Sequence, residues 1–262
     1  MKVDILNVQG KPVGKIDLPD VFNEKFRPDL IKRTVLALQS HRRQPYGTDP
    51  LAGLRSSAHF HGRRRVKHTM QMRDIARSPR IHDGPQHMYF RARKVPQAVK
   101  GRKAHPPKVE KIWYQKINKK ERKLALNSAI AATANKDIVK ERGHKVDLVE
   151  LPLVIEDAVQ SVKKTKDVEN LFLSLKLSDE LRRIKIKKVK AGKGKMRGRK
   201  YKKRIGPLIV VSEDKGIVKA CKNIPGLNVR VVKNISVEDL APGALAGRLI
   251  IWSKSSVEKL SG

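Results

Sequence analysis

Residues 2–8 and 13–18 alternate apolar and polar side chains around a turn-forming stretch at 9–12, which predicts a short β-hairpin at a sheet edge. After Pro28, the apolar positions Leu30, Ile31, Val35, Leu36 and Leu38 predict an amphipathic helix that runs into Arg42 and Arg43. From 119 to 142, Leu124, Leu126, Ile130, Ala131, Ala134 and Ile138 recur at helical spacing and Gly143 supplies a stop, so this should be the longest helix. Beyond it, strand and helix patterns alternate: 152–155 then 168–177, 208–211 then 217–222, 229–232 then 237–240, and finally 249–252. Short Val/Ile/Leu runs with few polar breaks suit strands covered on both faces, and alternation with helices implies parallel pairing. The expected fold class is α/β: a small open, mostly parallel sheet of about four strands flanked by helices.

Between these patterns lies 41–111, which has neither a 3.6 nor a 2.0 hydrophobic period and holds seven of the fourteen prolines and seven of the eight histidines. Such a stretch is expected to be a long irregular internal loop that takes its order from something outside the chain. The globular domain then comprises 1–40, 112–181 and 207–262.

Charge sharpens that division. The 262 residues include 60 Lys+Arg and 25 Asp+Glu, a net of +35. The 41–111 loop carries 18 basic and 4 acidic residues, a net of +14, and 182–206 carries 14 basic and no acidic residues, a further +14. The remaining 166 residues are close to ordinary at +7. A protein so cationic repels itself and adheres to polyanions unless a partner matches it, and nucleic acid is the obvious partner. No run of eighteen apolar residues exists and the first ten residues lack a secretory pattern, so a soluble, cytoplasmic protein without a membrane partner is expected. Cys221, the single cysteine, can form no internal disulfide and should pack as a small apolar residue.

Arginine binds phosphate bidentately and stacks on bases. The loop candidates for nucleic-acid contact are therefore Arg42, Arg43, Arg55, Arg63, Arg64, Arg65, Arg73, Arg77, Arg80, Arg91, Arg93 and Arg102. Tyr46, Phe60, Tyr89 and Phe90 interrupt these cations and are candidates for stacking on unpaired bases. In 191–204, AGKGKMRGRKYKKR, the glycines let backbone approach phosphate, and Lys193, Lys195, Arg197, Arg199, Lys200 and Arg204 are the candidates. The competing reading of this segment is a solvated, localisation-like tract.

Catalysis finds little support. The acid pairs Glu156/Asp157, Glu213/Asp214 and Glu238/Asp239 follow strands and could hold Mg²⁺ for phosphoryl transfer, but acids opening helices serve as caps, and Ser236 with Asp239 has capping-box spacing. His59, His61 and His68 suggest a metal cluster, yet they lie beside Arg63, Arg64 and Arg65 with no Cys or carboxylate to complete four ligands. No nucleophile–base pair, P-loop or cofactor motif is present, so no catalytic residue, metal or cofactor is expected.

RQPYG at 43–47, LAGLRSSA at 51–58, ARSPRI at 76–81, VPQAVKGRKAHPPK at 95–108, ELPLVIED at 150–157, KKTK at 163–166, AGKGKMRGR at 191–199 and LAPGALAGRLIIW at 240–252 together resemble the universal L-four family of large-subunit ribosomal proteins, in its archaeal and eukaryotic form. The resemblance implies a structural, non-enzymatic constituent of the large subunit that binds rRNA directly and early in assembly, with Mg²⁺ only as an rRNA counterion. It implies a globular α/β domain on the subunit surface and an internal loop, here 41–111, whose tip near 62–80 lines the polypeptide exit tunnel opposite a second constriction protein. Arg63, Arg64, Arg65 and Arg73 are then the candidates to meet the nascent peptide; where many relatives have a Gly-rich tip, this chain has GRRRVKHTMQMRD at 62–74. Neighbouring ribosomal proteins are the other implied partners, and no homo-oligomer is expected. The alternatives are a free RNA chaperone and a messenger-RNA-binding regulator.

Overall fold

Strands β1 (Lys2–Leu6) and β2 (Pro12–Asp17) form the expected antiparallel hairpin. The computed structural model, which describes residues 2–65, 69–71 and 73–260, continues the sheet from β1. β3 (Leu153–Ile155), β6 (Leu208–Val211), β7 (Asn228–Val231) and β8 (Ile250–Ser253) complete a six-stranded sheet in the order β2-β1-β3-β8-β6-β7. All its pairings except β1 with β2 are parallel. The open, mostly parallel sheet is therefore present, but with six strands instead of about four. The hairpin lies at the sheet edge as expected, with β2 at the rim and β1 paired in parallel with β3.

Alternate residues of each inner strand point to opposite faces, so a run with no polar break feeds two cores. Leu153, Ile155, Ile209, Val211 and Ile251 pack on one side with Phe172, Leu171 and Ile184. Val154, Leu208, Val210, Ile250 and Trp252 pack on the other with Ile31, Val35, Ala125 and Phe22. Trp252 is 0% exposed and meets Phe22 edge-on, with centroids 5.6 Å apart. Truncating it removes the packing on every side of the ring, and Trp252→Ala is expected to cost about 3–5 kcal/mol, read as a fall in the urea midpoint.

The first face is covered by helices α4 (Thr165–Ser174), α5 (Ser178–Lys185) and α6 (Ile217–Lys222). The second carries α1 (Pro28–His41), α2 (Lys119–Ala134) and α7 (Val237–Leu240). The helix expected over 119–142 breaks at Asn135, whose side chain leaves the helix and accepts the Asp137 N–H to start α3 (Lys136–Glu141). The helix expected over 168–177 is α4, displaced by three residues toward the N-terminus, and it ends in a turn in which Lys176 has φ +59° before α5, which the hydrophobic pattern did not predict. The Ser236/Asp239 capping box of α7 forms as expected. Cys221 is buried as expected, and burial foremost pushes its thiol up to about 12.

Helix α5 introduces a buried polar group that periodicity did not disclose. Glu180 is 0% exposed and accepts from His144 Nδ1 at 2.7 Å, from Arg183 Nη2 at 2.6 Å and Nε at 2.7 Å, and from the Lys145 N–H at 3.1 Å. Burial opposes the Glu180 charge, but the bonds from Arg183 and His144 outweigh it and lower its pKa to about 2. Burial likewise holds His144 below its ordinary 6.5. Both groups thus stabilise the fold when deprotonated. That stabilisation is complete above the ordinary histidine value and is lost as pH falls, first through His144 and then, between about 4.5 and about 2, through Glu180. The urea midpoint should fall in that order, and a midpoint flat down to pH 2.5 would contradict it. Glu180→Gln, which leaves the Arg183 charge without its partner, is expected to cost about 3–5 kcal/mol and to erase the lower step.

The chain separates into two units. One is the sheet unit, built from residues up to His41 and from Gln115 onward; the other is Arg42–Tyr114. The second is ordered by turns and isolated bridges, with a single 3-10 turn at Gln86–Met88 and no α-helix among its described residues.

Candidate nucleic-acid interface

Within Arg42–Tyr114, two bridges set the frame. Residue 59 pairs antiparallel with 80, through the His59 N–H to the Arg80 carbonyl at 3.1 Å and the reverse bond at 3.0 Å, and Arg80 also bridges Ala92. The Phe90 N–H donates to the Ile81 carbonyl at 2.8 Å. Among the described residues of this unit, the buried apolar side chains are Ala58, Met70 and Ile81, a core too small to anchor so long a segment by itself. Gly53, at φ +77°, permits a close backbone crossing, because a Cβ there would lie 2.5 Å from the Arg102 nitrogen.

The arginines divide by what they touch. Arg42, Arg43, Arg55, Arg63, Arg64, Arg65, Arg73, Arg77, Arg91 and Arg102 are exposed. Of these, Arg55 reaches Asp49 at 2.6 Å, while Arg63, Arg64, Arg65, Arg77, Arg91 and Arg102 make no ion pair with an acid among the described residues. Arg80 and Arg93 are committed to the unit itself. Arg80 donates to the Phe90 carbonyl at 3.0 Å and the Ala76 carbonyl at 3.2 Å; Arg93 is 7% exposed and donates to the Val99 carbonyl.

The aromatic side chains divide in the same way. Tyr46, 55% exposed, stacks on Trp113 with centroids 5.8 Å apart, and Arg43 lies 3.7 Å over the same indole. Trp113 was not singled out in the sequence, where Ile112 separates it from Lys111. Phe60 and Tyr89 are exposed. Phe90 is instead half-buried, edge-on to His82 at 5.5 Å and with Arg73 4.9 Å above its ring, so it holds the unit together.

The second basic stretch begins inside helix α5, where Arg183 is held by Glu180 and by the Ile205 carbonyl at 2.6 Å. Past it, β4 (Lys188–Val189) and β5 (Tyr201–Lys202) form a two-stranded ribbon. The turn between them displays Lys193, Lys195, Arg197, Arg199 and Lys200, all exposed, with Gly192 at φ +79° and Gly198 at φ +75°. Arg204 is half-buried at the wall of a cavity of about 430 Å³, shared with Lys188, Lys202, Lys203 and Arg142.

Not every cation faces outward. Arg248 is 3% exposed, bonds the Gly206, Asp239 and Pro207 carbonyls and the Asn228 side chain at 2.6–3.3 Å, and is brought by burial to about 10. Its neighbour Gly247 has φ +83°, and a Cβ there would sit 2.7 Å from the Ile138 carbonyl oxygen.

Among the described residues, the acids of the three pairs Glu156/Asp157, Glu213/Asp214 and Glu238/Asp239 form no cluster of metal-ligand groups. Asp157 accepts from Ser255 Oγ at 2.6 Å and Gln160 at 2.8 Å, Asp214 accepts the Gly216 N–H at 2.9 Å, and Asp239 closes the α7 capping box and pairs with Arg230 at 3.0 Å. Each therefore ties down a loop or a helix start. Among the described residues, the side chains grouped as metal ligands are His59, His61 and His82. His68 lies outside the described residues.

The profile of the ribosomal protein L4/L1 family matches residues 16–262. The chain is 51% identical to "Large ribosomal subunit protein uL4" of Nanoarchaeum equitans, covering 99% of this chain and 97% of that one. It is 50% identical to the protein of the same name from Archaeoglobus fulgidus, over 99% and 98% of the two chains. For the Methanocaldococcus jannaschii protein the identity is 48%, again over 99% and 98%. With the family profile and these relatives matched across nearly its whole length, the chain belongs to the ribosomal protein L4/L1 family.

Proposed function

We propose that the protein is a structural constituent of the large ribosomal subunit that binds rRNA directly and early in assembly, with the Arg42–Tyr114 unit entering the rRNA and contributing to the wall of the polypeptide exit tunnel. The family is one of structural ribosomal proteins and not of enzymes. The observation that carries the finer reading is the combination, in one unit, of a net charge of +14, exposed arginines without acidic partners and almost no apolar core. Folding of such a unit is favoured when phosphates neutralise its cations and release their counterions. Arg63, Arg64, Arg65 and Arg73 are the side chains assigned to the tunnel end, and the 193–204 turn grips rRNA at a second place. The neighbours would be other large-subunit proteins, including the second protein of the tunnel constriction, with the nascent peptide in transient contact.

A photoreactive residue replacing Arg64 tests the tunnel assignment. In large subunits carrying a stalled chain it should cross-link both rRNA and nascent peptide, whereas the same group at exposed Val13 on β2 should not reach the peptide. Cross-links from residue 64 to neither would overturn the assignment.

A further inference from the structure

His59, His61 and His82 bring one ring nitrogen each to within 4.8 Å of the others. Their ring centroids are 4.2, 4.7 and 4.4 Å apart. The backbone explains the convergence. Residues two apart on an extended segment share a face, which pairs His59 with His61. The bridge between residues 59 and 80 then returns the segment that carries His82 to the one that carries His59 and His61.

Backbone carbonyls fix the proton on two of the rings. His59 Nδ1 is 2.9 Å from the Ser57 carbonyl, which can only accept, so that nitrogen carries the proton and Nε2 keeps the lone pair. His82 Nε2 is 3.3 Å from the His59 carbonyl, so that nitrogen carries the proton. Backbone carbonyls that hold the far nitrogen of an imidazole are the usual second support of a metal-bound histidine. His82 is 6% exposed and braced edge-on by Phe90, so its ring is already held in place.

We propose that His59, His61 and His82 form a three-imidazole site for Zn²⁺, with a water in the fourth position. Nitrogen donors without carboxylates disfavour Ca²⁺ and Mg²⁺ and suit zinc. Tetrahedral Zn–N bonds of about 2.0–2.1 Å need donors about 3.4 Å apart, so small side-chain rotations close the site. The ion would tie the limb at 57–61 to the limb at 80–82 in a unit with little apolar core. Arg63, Arg64 and Arg65 follow closely in sequence but are exposed, so their repulsion of a dication is screened over about 8 Å at physiological salt.

Full-length protein stripped with a chelator and titrated with Co²⁺ tests the site. One Co²⁺ per chain should give the intense visible bands of tetrahedral coordination, and one equivalent of Zn²⁺ should displace it. His59→Ala and His61→Ala should each weaken binding at least about tenfold, whereas His87→Ala and His105→Ala should not. Absence of the bands, weak uptake at many sites, or bands that survive both substitutions at His59 and His61 would overturn the proposal. Since His82 is buried and its variants could disturb the fold, zinc-edge X-ray absorption on the unsubstituted, zinc-loaded chain supplies an independent reading. Three imidazole nitrogens and one oxygen are expected, and an all-oxygen shell would overturn the site.

Discussion

Exchange of residues 42–114 for a short Gly/Ser linker is expected to leave the sheet unit folded and to remove most of the protein's affinity for large-subunit rRNA. The fold should survive because both cores lie in the sheet unit and because the two ends of the exchanged segment meet there. Ser40 Oγ accepts the Gln115 N–H at 3.0 Å, and His41 Nε2 lies 2.8 Å from the Gln115 carbonyl. The affinity should fall because nine exposed arginines other than the Asp49-paired Arg55 leave with the segment. Each phosphate that the protein no longer neutralises makes the slope of log K against log salt shallower by about 0.7–0.9, so the slope should flatten by roughly six to eight. An unchanged slope would mean that the arginines of this unit do not face phosphate, and an unfolded sheet unit would mean that the division of the chain is wrong.

The second large effect is expected in the ribbon turn. Changing Lys193, Lys195, Arg197, Arg199 and Lys200 together to Gln should flatten the salt slope by about 3.5–4.5 and weaken rRNA binding without regard to base sequence. These side chains lie at the surface of the turn. The unfolding free energy should therefore stay within about 0.5 kcal/mol of the unsubstituted protein's. Arg248→Gln separates affinity from stability in the opposite sense. It breaks bonds to three backbone carbonyls and Asn228, and so should lower the midpoint while leaving the salt slope of the folded fraction intact.

What was legible in the sequence follows from what is local. The runs at 208–211 and 249–252 announce strands because a strand buried on both faces has no polar position to interrupt it. The Ser236/Asp239 cap is legible because its partners are three residues apart. Helix α5 was hidden because its last turn, with Arg182, Arg183 and Lys185, reads as the start of a basic tract, and only the fold brings His144 to Glu180. The parallel seat of β1 beside β3 depends on a pairing across about 150 residues that no local pattern encodes.

The same distinction governs the candidate interface. Charge windows locate the basic unit and the basic turn, since net charge is a property of composition. They do not separate Arg63, which is exposed, from Arg93, which is buried against Val99, because burial is decided by the return of the chain. His82 escaped notice for that reason: it reaches His59 and His61 through the bridge at Arg80, and the nearer His68 looked like the natural third member.

Sedimentation of cell extracts at near-physiological salt tests the ribosomal assignment most directly. The full-length protein should migrate with the large subunit at one copy per subunit and remain there on re-centrifugation, while the linker variant lacking 42–114 should be lost from it. Large subunits that sediment without the protein, with the protein left among free RNA at the top of the gradient, would contradict a structural ribosomal role and point instead to a free RNA chaperone or a messenger-RNA-binding regulator.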